Sequence, residues 1–295
     1  VILGDGYRAV DQAKFDADCL RFITGMLQVE PYKTYGDYIN AHTVFRASRE
    51  AGVDHPERTP PVVRDTAYNG TYNTGGTVRC TTIRNTSLAL RDAALAPSVD
   101  GRVLVLFNDP QYGGCAGQFA VSYNGPSMVQ VQTHEVGHSL GRLADEYWYS
   151  GRTYSGGEPS QVNATKSSTG AKWSIWRGFN GVSAFEGARY NQFGLWRPKN
   201  NCLMRSLGVP LCPICGENIV KELHRASTGI TSPQPASQSV TLTQPARQVF
   251  SFTNKAPTSA NATITWRVDG QAVASGTTSY TLNSASLALG LPQHW

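Results

Sequence analysis

The residues of this chain best suited to chemistry are two histidines four positions apart with a glutamate after the first, in His134-Glu135-Val136-Gly137-His138. On a helix, side chains at i and i+4 stand on one face, so both imidazoles reach toward one point. Neutral imidazole is a good zinc ligand, and one helical turn would supply two of the three protein ligands that a catalytic zinc takes. Glu135 lies on the same side and is suited to take a proton from a metal-bound water rather than to bind the ion. The metal lowers the pKa of that water toward neutrality as it attacks a carbonyl. Val129, Thr133, Val136 and Leu140 form a stripe on the opposite side, which predicts a helix with one core face and one cleft face.

The third ligand has to come from elsewhere. Glu158 sits in Ser155-Gly156-Gly157-Glu158-Pro159, which is not helical and so does not suit the distant-helix glutamate of some zinc peptidases. Asp145 lies seven residues beyond His138. In a continuous helix that is about 10 Å along the axis, far beyond a metal bond of about 2 Å. Gly141 removes the difficulty, because glycine can adopt the left-handed conformation that ends a helix and turns the chain back. Asp145 is therefore the expected third ligand. Glu146 is its rival, or else a hydrogen-bond partner behind the ligands.

The elements that must hold these residues are legible as patterns. Phe15, Cys19, Phe22, Ile23 and Met26 recur at helical spacing. Arg102 to Asn108 reads as a strand buried on both faces, and Cys115 to Tyr123 as a further strand just ahead of the histidine helix. Residues 50 to 80 read as a long excursion, and a final helix follows Cys212. This alternation predicts an α/β or α+β sheet domain over residues 1–228. From Tyr149 to Asn201 periodicity disappears, and Trp173, Trp176, Phe185, Tyr190 and Trp196 stand among glycines and serines as the expected wall of a cleft. Residues 229–238 read as a linker, and 239–295 as short alternating strands of an immunoglobulin-like β-sandwich that stops before its end.

Composition narrows the partners. A net charge of +5 with no Lys/Arg run excludes nucleic acid as an expected partner, and no apolar stretch is long enough to cross a bilayer. Six cysteines favour structural disulfides; Cys212-Pro-Ile-Cys215 resembles half a zinc knuckle, without a second such pair. His55 is expected to be a hydrogen-bonded structural residue rather than a ligand. Asn69, Asn85, Asn163 and Asn261 each stand in a glycosylation pattern. Val1 starts a strand already under way, so a trimmed product of a longer chain is expected.

With these residues in view, the chain resembles the metzincins, zinc endopeptidases with the pattern HExxHxxGxx followed by His or Asp. The fit runs through Gly141, after which Ala144 holds the usual third-ligand place and the acid comes one residue later. The resemblance implies a methionine-containing turn under the metal, which Met204 in Asn200-Asn201-Cys202-Leu203-Met204 matches in order and distance. The tyrosine that follows this turn in some metzincins is replaced by Ser206. More narrowly, ILGDGY, GVDHP, HEVGHSLGRLADEYW, FEGARY and CLMRSLGVPLCPICGENI are similar to blocks of the igalysins, the IgA-peptidase family of metzincins. That implies a secreted or cell-surface endopeptidase that needs Zn2+ and cleaves a protein or peptide substrate. It also implies an extended substrate bound along the edge strand that contains Ala116 and Gly117. The competing expectation is a metal-containing module that adheres to glycan or protein without cleaving it.

Overall fold

A computed structural model describes residues 1–97, 102–227, 229–237, 239–243, 245–255, 257–258 and 263–286. The Asn261 glycosylation pattern and the last nine residues of the expected sandwich lie outside them. The chain forms two compact units. One comprises Val1–Lys33 and Asn40–Leu223, the other Thr34–Ile39 and His224–Trp295.

In the first unit the elements run β1 (Ile2–Asp5), α1 (Gln12–Met26), β2 (Thr43–Val44), β3 (Gly70–Thr71), β4 (Thr82–Ile83), α2 (Thr86–Ala93), β5 (Leu104–Phe107), β6 (Gly114–Ala116), β7 (Ala120–Tyr123), α3 (Met128–Ser139), β8 (Trp148–Thr153), β9 (Phe185–Ala188), β10 (Tyr190–Arg197) and α4 (Pro213–Ala226). The main sheet has the order β2-β1-β5-β7-β6, parallel except for β6, which runs antiparallel at the edge. Every residue of β1, β5 and β7 is buried, as a parallel sheet covered on both faces requires. Leu3, Val105, Phe107 and Val121 pack with Tyr68, Tyr72, Ala89 and Ala93 into one core cluster. α1 buries Phe15, Cys19, Phe22 and Met26. It approaches α3 so closely that a Cβ on Gly25 would lie 2.6 Å from Val129 Cγ1.

Buried polar contacts at the ends of β1 and β5 stitch down the excursion after residue 50. Asp5 at the end of β1 accepts hydrogen bonds from Tyr68 N at 2.9 Å, Gly70 N at 2.7 Å and Thr66 Oγ1 at 3.0 Å. Burial pushes its carboxyl up to about 6 despite these donors. His55 is held between Glu57 and Asp109, both at 2.9 Å, and stacks on Tyr72. It is a structural histidine. Asn163 is also fully buried, so its glycosylation pattern is closed to any enzyme in the folded protein.

The stretch read as one strand, Cys115 to Tyr123, is two. It turns at Gly117, whose N–H donates to Phe119 O at 3.0 Å, so only Gly114–Ala116 forms the edge. The segment from 149 to 201 is not structureless either. β8, β10 and β9 form a second sheet in that order, hidden from period-two reading by register shifts at Asn191/Phe193 and Asn191/Trp196. Trp173 is buried beside it and donates to Ser183 O at 2.7 Å. The tryptophans there are scaffold more than wall.

The second unit contains β11 (Ile230–Gln234), β12 (Arg247–Asn254), β13 (Thr265–Val268), β14 (Gln271–Ser275) and β15 (Ser279–Asn283). An antiparallel sheet of order β11-β12-β15 accompanies the β13-β14 hairpin, and the rings of Phe252, Trp266 and Tyr280 meet at 5.5 and 5.9 Å. The strand Ile230–Gln234 occupies residues read as linker. No described helix in either unit is long and apolar enough to cross a membrane.

Among the described cysteines a single disulfide forms, Cys80–Cys115, tying the edge strand β6 to the excursion; Cys19, Cys202, Cys212 and Cys215 are free and buried. The bridge closes a loop with a sequence separation of 35. Replacing both cysteines with alanine should lower the unfolding free energy by about 2–4 kcal/mol. A urea midpoint unchanged by the double substitution would show that the bridge carries no stability.

Candidate active site

α3 is enclosed on most of its circumference. Met128, Val131, Gln132, Thr133, Glu135, Val136 and Gly137 are all buried, so the helix is less two-sided than its apolar stripe suggests. His134 and His138 keep side-chain exposures of 13% and 17%, enough for their ring edges to reach a cleft. His134 Nδ1 donates to Leu203 O at 2.9 Å and His138 Nδ1 to Leu143 O at 2.7 Å. In neutral imidazole this leaves each Nε2 as the atom with the free electron pair. The two Nε2 atoms lie 3.0 Å apart, and Asp145 Oδ1 lies 3.1 and 3.3 Å from them.

The chain reaches this position by ending α3 sharply, but Gly141 is not its left-handed residue. Arg142 is, with φ +48°. Gly141 is needed for space: a Cβ there would lie 2.7 Å from Gly137 O and 2.8 Å from Ile219 Cγ1. Leu143 N then donates to Gly137 O at 3.1 Å, and the following arm is clasped by Asn163, which takes Ala144 N at 2.8 Å and gives to Ala144 O at 2.9 Å. So Ala144, at the usual ligand position of the resembling pattern, has its backbone held while the next residue turns to the imidazoles.

Glu146 does not join them. Its backbone N–H donates to Met204 O at 2.8 Å and its Oε1 accepts from Asn163 at 3.0 Å. Met204 is fully buried under α3, where a Cβ on Gly137 would meet its Sδ at 2.6 Å. The turn bearing it thus supplies Leu203 O to His134 and Met204 O to the arm.

Electrostatics follow from this packing. Burial pushes the Asp145 carboxyl up, but hydrogen bonds and charge from His134 and His138 outweigh it and hold the group well below the usual range. Burial opposes protonation of His138, yet Asp145 raises it to about 9. Glu135 is pushed up, chiefly by burial and against the pull of the imidazoles.

A cleft of about 690 Å³ opens over these groups, lined on one side by Gly114 to Gly117 and on the other by Tyr147, Tyr149, Arg152, Arg189 and Tyr190. Tyr190, one of the aromatics expected in the wall of the cleft, stands there, and its hydroxyl also donates to Asp145 Oδ2. Arg189 and Tyr190 both have positive φ, an unfavourable conformation for such side chains. They are held in it by Arg189 N to Asp145 O at 2.9 Å and Tyr190 N to Tyr147 O at 3.0 Å. Only these long-range pairings bring the tyrosine to Asp145; local pattern carries no sign of that contact.

Residues 1–179 and 177–223 match the family described as IgA Peptidase M64. The chain belongs to that family. No curated protein matches it. Membership of the IgA peptidase M64 family makes a metallopeptidase activity on protein substrate the framework for this cleft, and His134, His138 and Asp145 form a donor set able to hold an ion within it.

The turn after α3 can be tested directly. Gly141→Ala should destabilise by about 1–3 kcal/mol, because the added methyl meets backbone and Ile219. Arg142→Gly should be neutral or stabilising by about 1 kcal/mol, since it removes a left-handed side chain. Both variants are read by chemical unfolding, and Arg142→Gly is the one that discriminates: with a left-handed Gly141 instead, glycine at 142 would cost about 1 kcal/mol.

Proposed function

We propose that this member of the IgA peptidase M64 family is a zinc-dependent endopeptidase that works outside the cell or at its surface, on a metzincin-like scaffold followed by an immunoglobulin-like module. The observation that carries the reading is the triangle of His134 Nε2, His138 Nε2 and Asp145 Oδ1, with sides of 3.0, 3.1 and 3.3 Å. The site fits zinc on its own chemistry: two nitrogens and one carboxylate oxygen face a common point, with both imidazole tautomers set by backbone carbonyls. A zinc ion there supplies a Lewis acid and makes water acidic enough to attack at neutral pH.

The chain's own residues supply the rest. Glu135 is buried beside the imidazoles and acts as general base for the attacking water, then carries the proton to the leaving amine. Its raised proton affinity suits that shuttle better than an ordinary exposed carboxylate would. Tyr190 takes the place of the tyrosine that the sequence does not offer at Ser206. Its hydroxyl donates its one proton to Asp145 Oδ2 in this structure, and we assign to it the turning of that proton to the oxyanion of the tetrahedral intermediate. β6 is the edge of its sheet; Gly114 N there donates to Arg79 O at 3.0 Å, and beyond it Ala116 and Gly117 leave room for another backbone to add as a strand. An adhesive module without catalysis would have no use for a buried Glu135 at this position.

Glu135→Ala should retain its metal by elemental analysis and lose cleavage of an unfolded protein substrate, and chelation should abolish cleavage by the parent chain. Full activity in Glu135→Ala would refute the assignment. Tyr190→Phe should reduce kcat by about 10²-fold with little change in KM, and a change confined to KM would make Tyr190 a substrate-binding residue instead.

A further inference from the structure

Glu146 is the one carboxylate of the turning arm that the proposed reaction does not use. It is completely buried, and its Oε2 has no hydrogen-bond partner. An acidic oxygen so placed is costly unless something cationic meets it. The buried Arg197 does not bond it: Nη1 is spent on Glu186 O and Gly187 O, and Nη2 on Asn200. What surrounds the carboxylate instead is sulfur. Cys215 Sγ lies 3.3 Å from Glu146 Oε1, Cys202 Sγ lies 3.8 Å from Cys215 Sγ, and Cys212 N donates to Cys202 Sγ at 3.2 Å. Glu146, Cys202, Cys212 and Cys215 each offer one ligand atom, and these atoms all lie within 4.8 Å of one another.

Two explanations for such a cluster can be compared on distance and number. A disulfide needs sulfurs about 2.05 Å apart, and three cysteines cannot all pair within the cluster. Two thiolates on one tetrahedral zinc, with bonds of about 2.3 Å, stand roughly 3.8 Å apart. The observed Cys202–Cys215 separation is 3.8 Å. We propose that Cys202, Cys212, Cys215 and Glu146 bind a second zinc ion. Four protein donors, all buried, leave no position for water, so the site is structural.

Its placement gives it a purpose. The four ligands come from the arm after Asp145, from the turn that carries Met204 and from the start of α4. One ion would fasten these three segments together beneath the cleft, where the turn gives Leu203 O to His134 and Met204 O to the arm, and α4 holds the start of the arm through Asn218 Nδ2 on Gly141 O at 2.7 Å. The Cys212-Pro-Ile-Cys215 pair lacks a second such pair in the sequence because its partners are a single cysteine ten residues upstream and a glutamate from the arm. The second site shares no ligand with the catalytic one, so the two assignments stand or fall separately.

Metal content of the purified full chain decides the matter. Elemental analysis should return two zinc equivalents for the parent and one for His134→Ala/His138→Ala. Replacement by Co2+ should give sulfur-to-cobalt charge-transfer absorption that the double histidine variant retains and Cys212→Ser loses. Thiol titration of the denatured, metal-stripped chain without reductant should find four thiols, those of Cys19, Cys202, Cys212 and Cys215. Two thiols, or a histidine variant with no metal and no cobalt–sulfur band, would overturn the proposal. One zinc in both parent and histidine variant would leave it standing and remove the catalytic assignment. Should Cys212→Ser not fold, the histidine variant and the thiol count still decide.

Discussion

Three electron-pair donors held within 3.3 Å of one another are the constraint on which the rest of this structure depends. Converging lone pairs and a carboxylate charge repel unless a proton or a cation sits among them. The frame must therefore hold them against that repulsion. It does so by fixing what each ligand cannot relax: the imidazoles through Leu203 O and Leu143 O, the carboxylate through Tyr190, and the arm between them through Asn163. Each restraint comes from a different part of the chain. No single helix could impose them all.

The arm from Gly141 to Tyr147 is where these restraints meet. Its start is crowded enough that a Cβ at Gly141 would push on Gly137 O and Ile219, and Arg142 takes the left-handed conformation that reverses the chain. Its end pairs with the hairpin tip at Arg189 and Tyr190. Between them, Asp145 and Glu146 reach separate clusters, one of imidazole and one of sulfur. The methionine turn lies between the two clusters. Leu203 O orients an imidazole and Met204 O holds the arm, so a shift of this turn would disturb both.

The cleft inherits its asymmetry from the two sheets. On one side the short edge strand β6 is backed by β7 and pinned by the Cys80–Cys115 bridge, and a Cβ on Gly114 would lie 3.0 Å from Glu135 Oε1. Backbone is what that wall presents. On the other side Tyr147, Tyr149 and Tyr190 stand ring to ring, with Arg79 over Tyr147 and Arg152 over Tyr149. That wall presents side chains.

The sequence alone determined the chemistry of α3. The spacing of His134 and His138 is a property of one helical turn, and the buried strands around it declare themselves through local hydrophobic pattern. The resemblance to the IgA peptidases was likewise carried by contiguous blocks, and it is the family the chain belongs to. What local pattern could not reach were choices made between distant segments. Asp145 and Glu146 are adjacent acids of the same kind, and only the surroundings that other segments bring up separate the one beside imidazole from the one beside thiols. Tyr190, Asn163 and the three clustered cysteines owe their positions to contacts over tens of residues, including a sheet whose bulges erase its period. A periodic pattern records which face of an element is buried; it carries no record of which remote atom that face will meet.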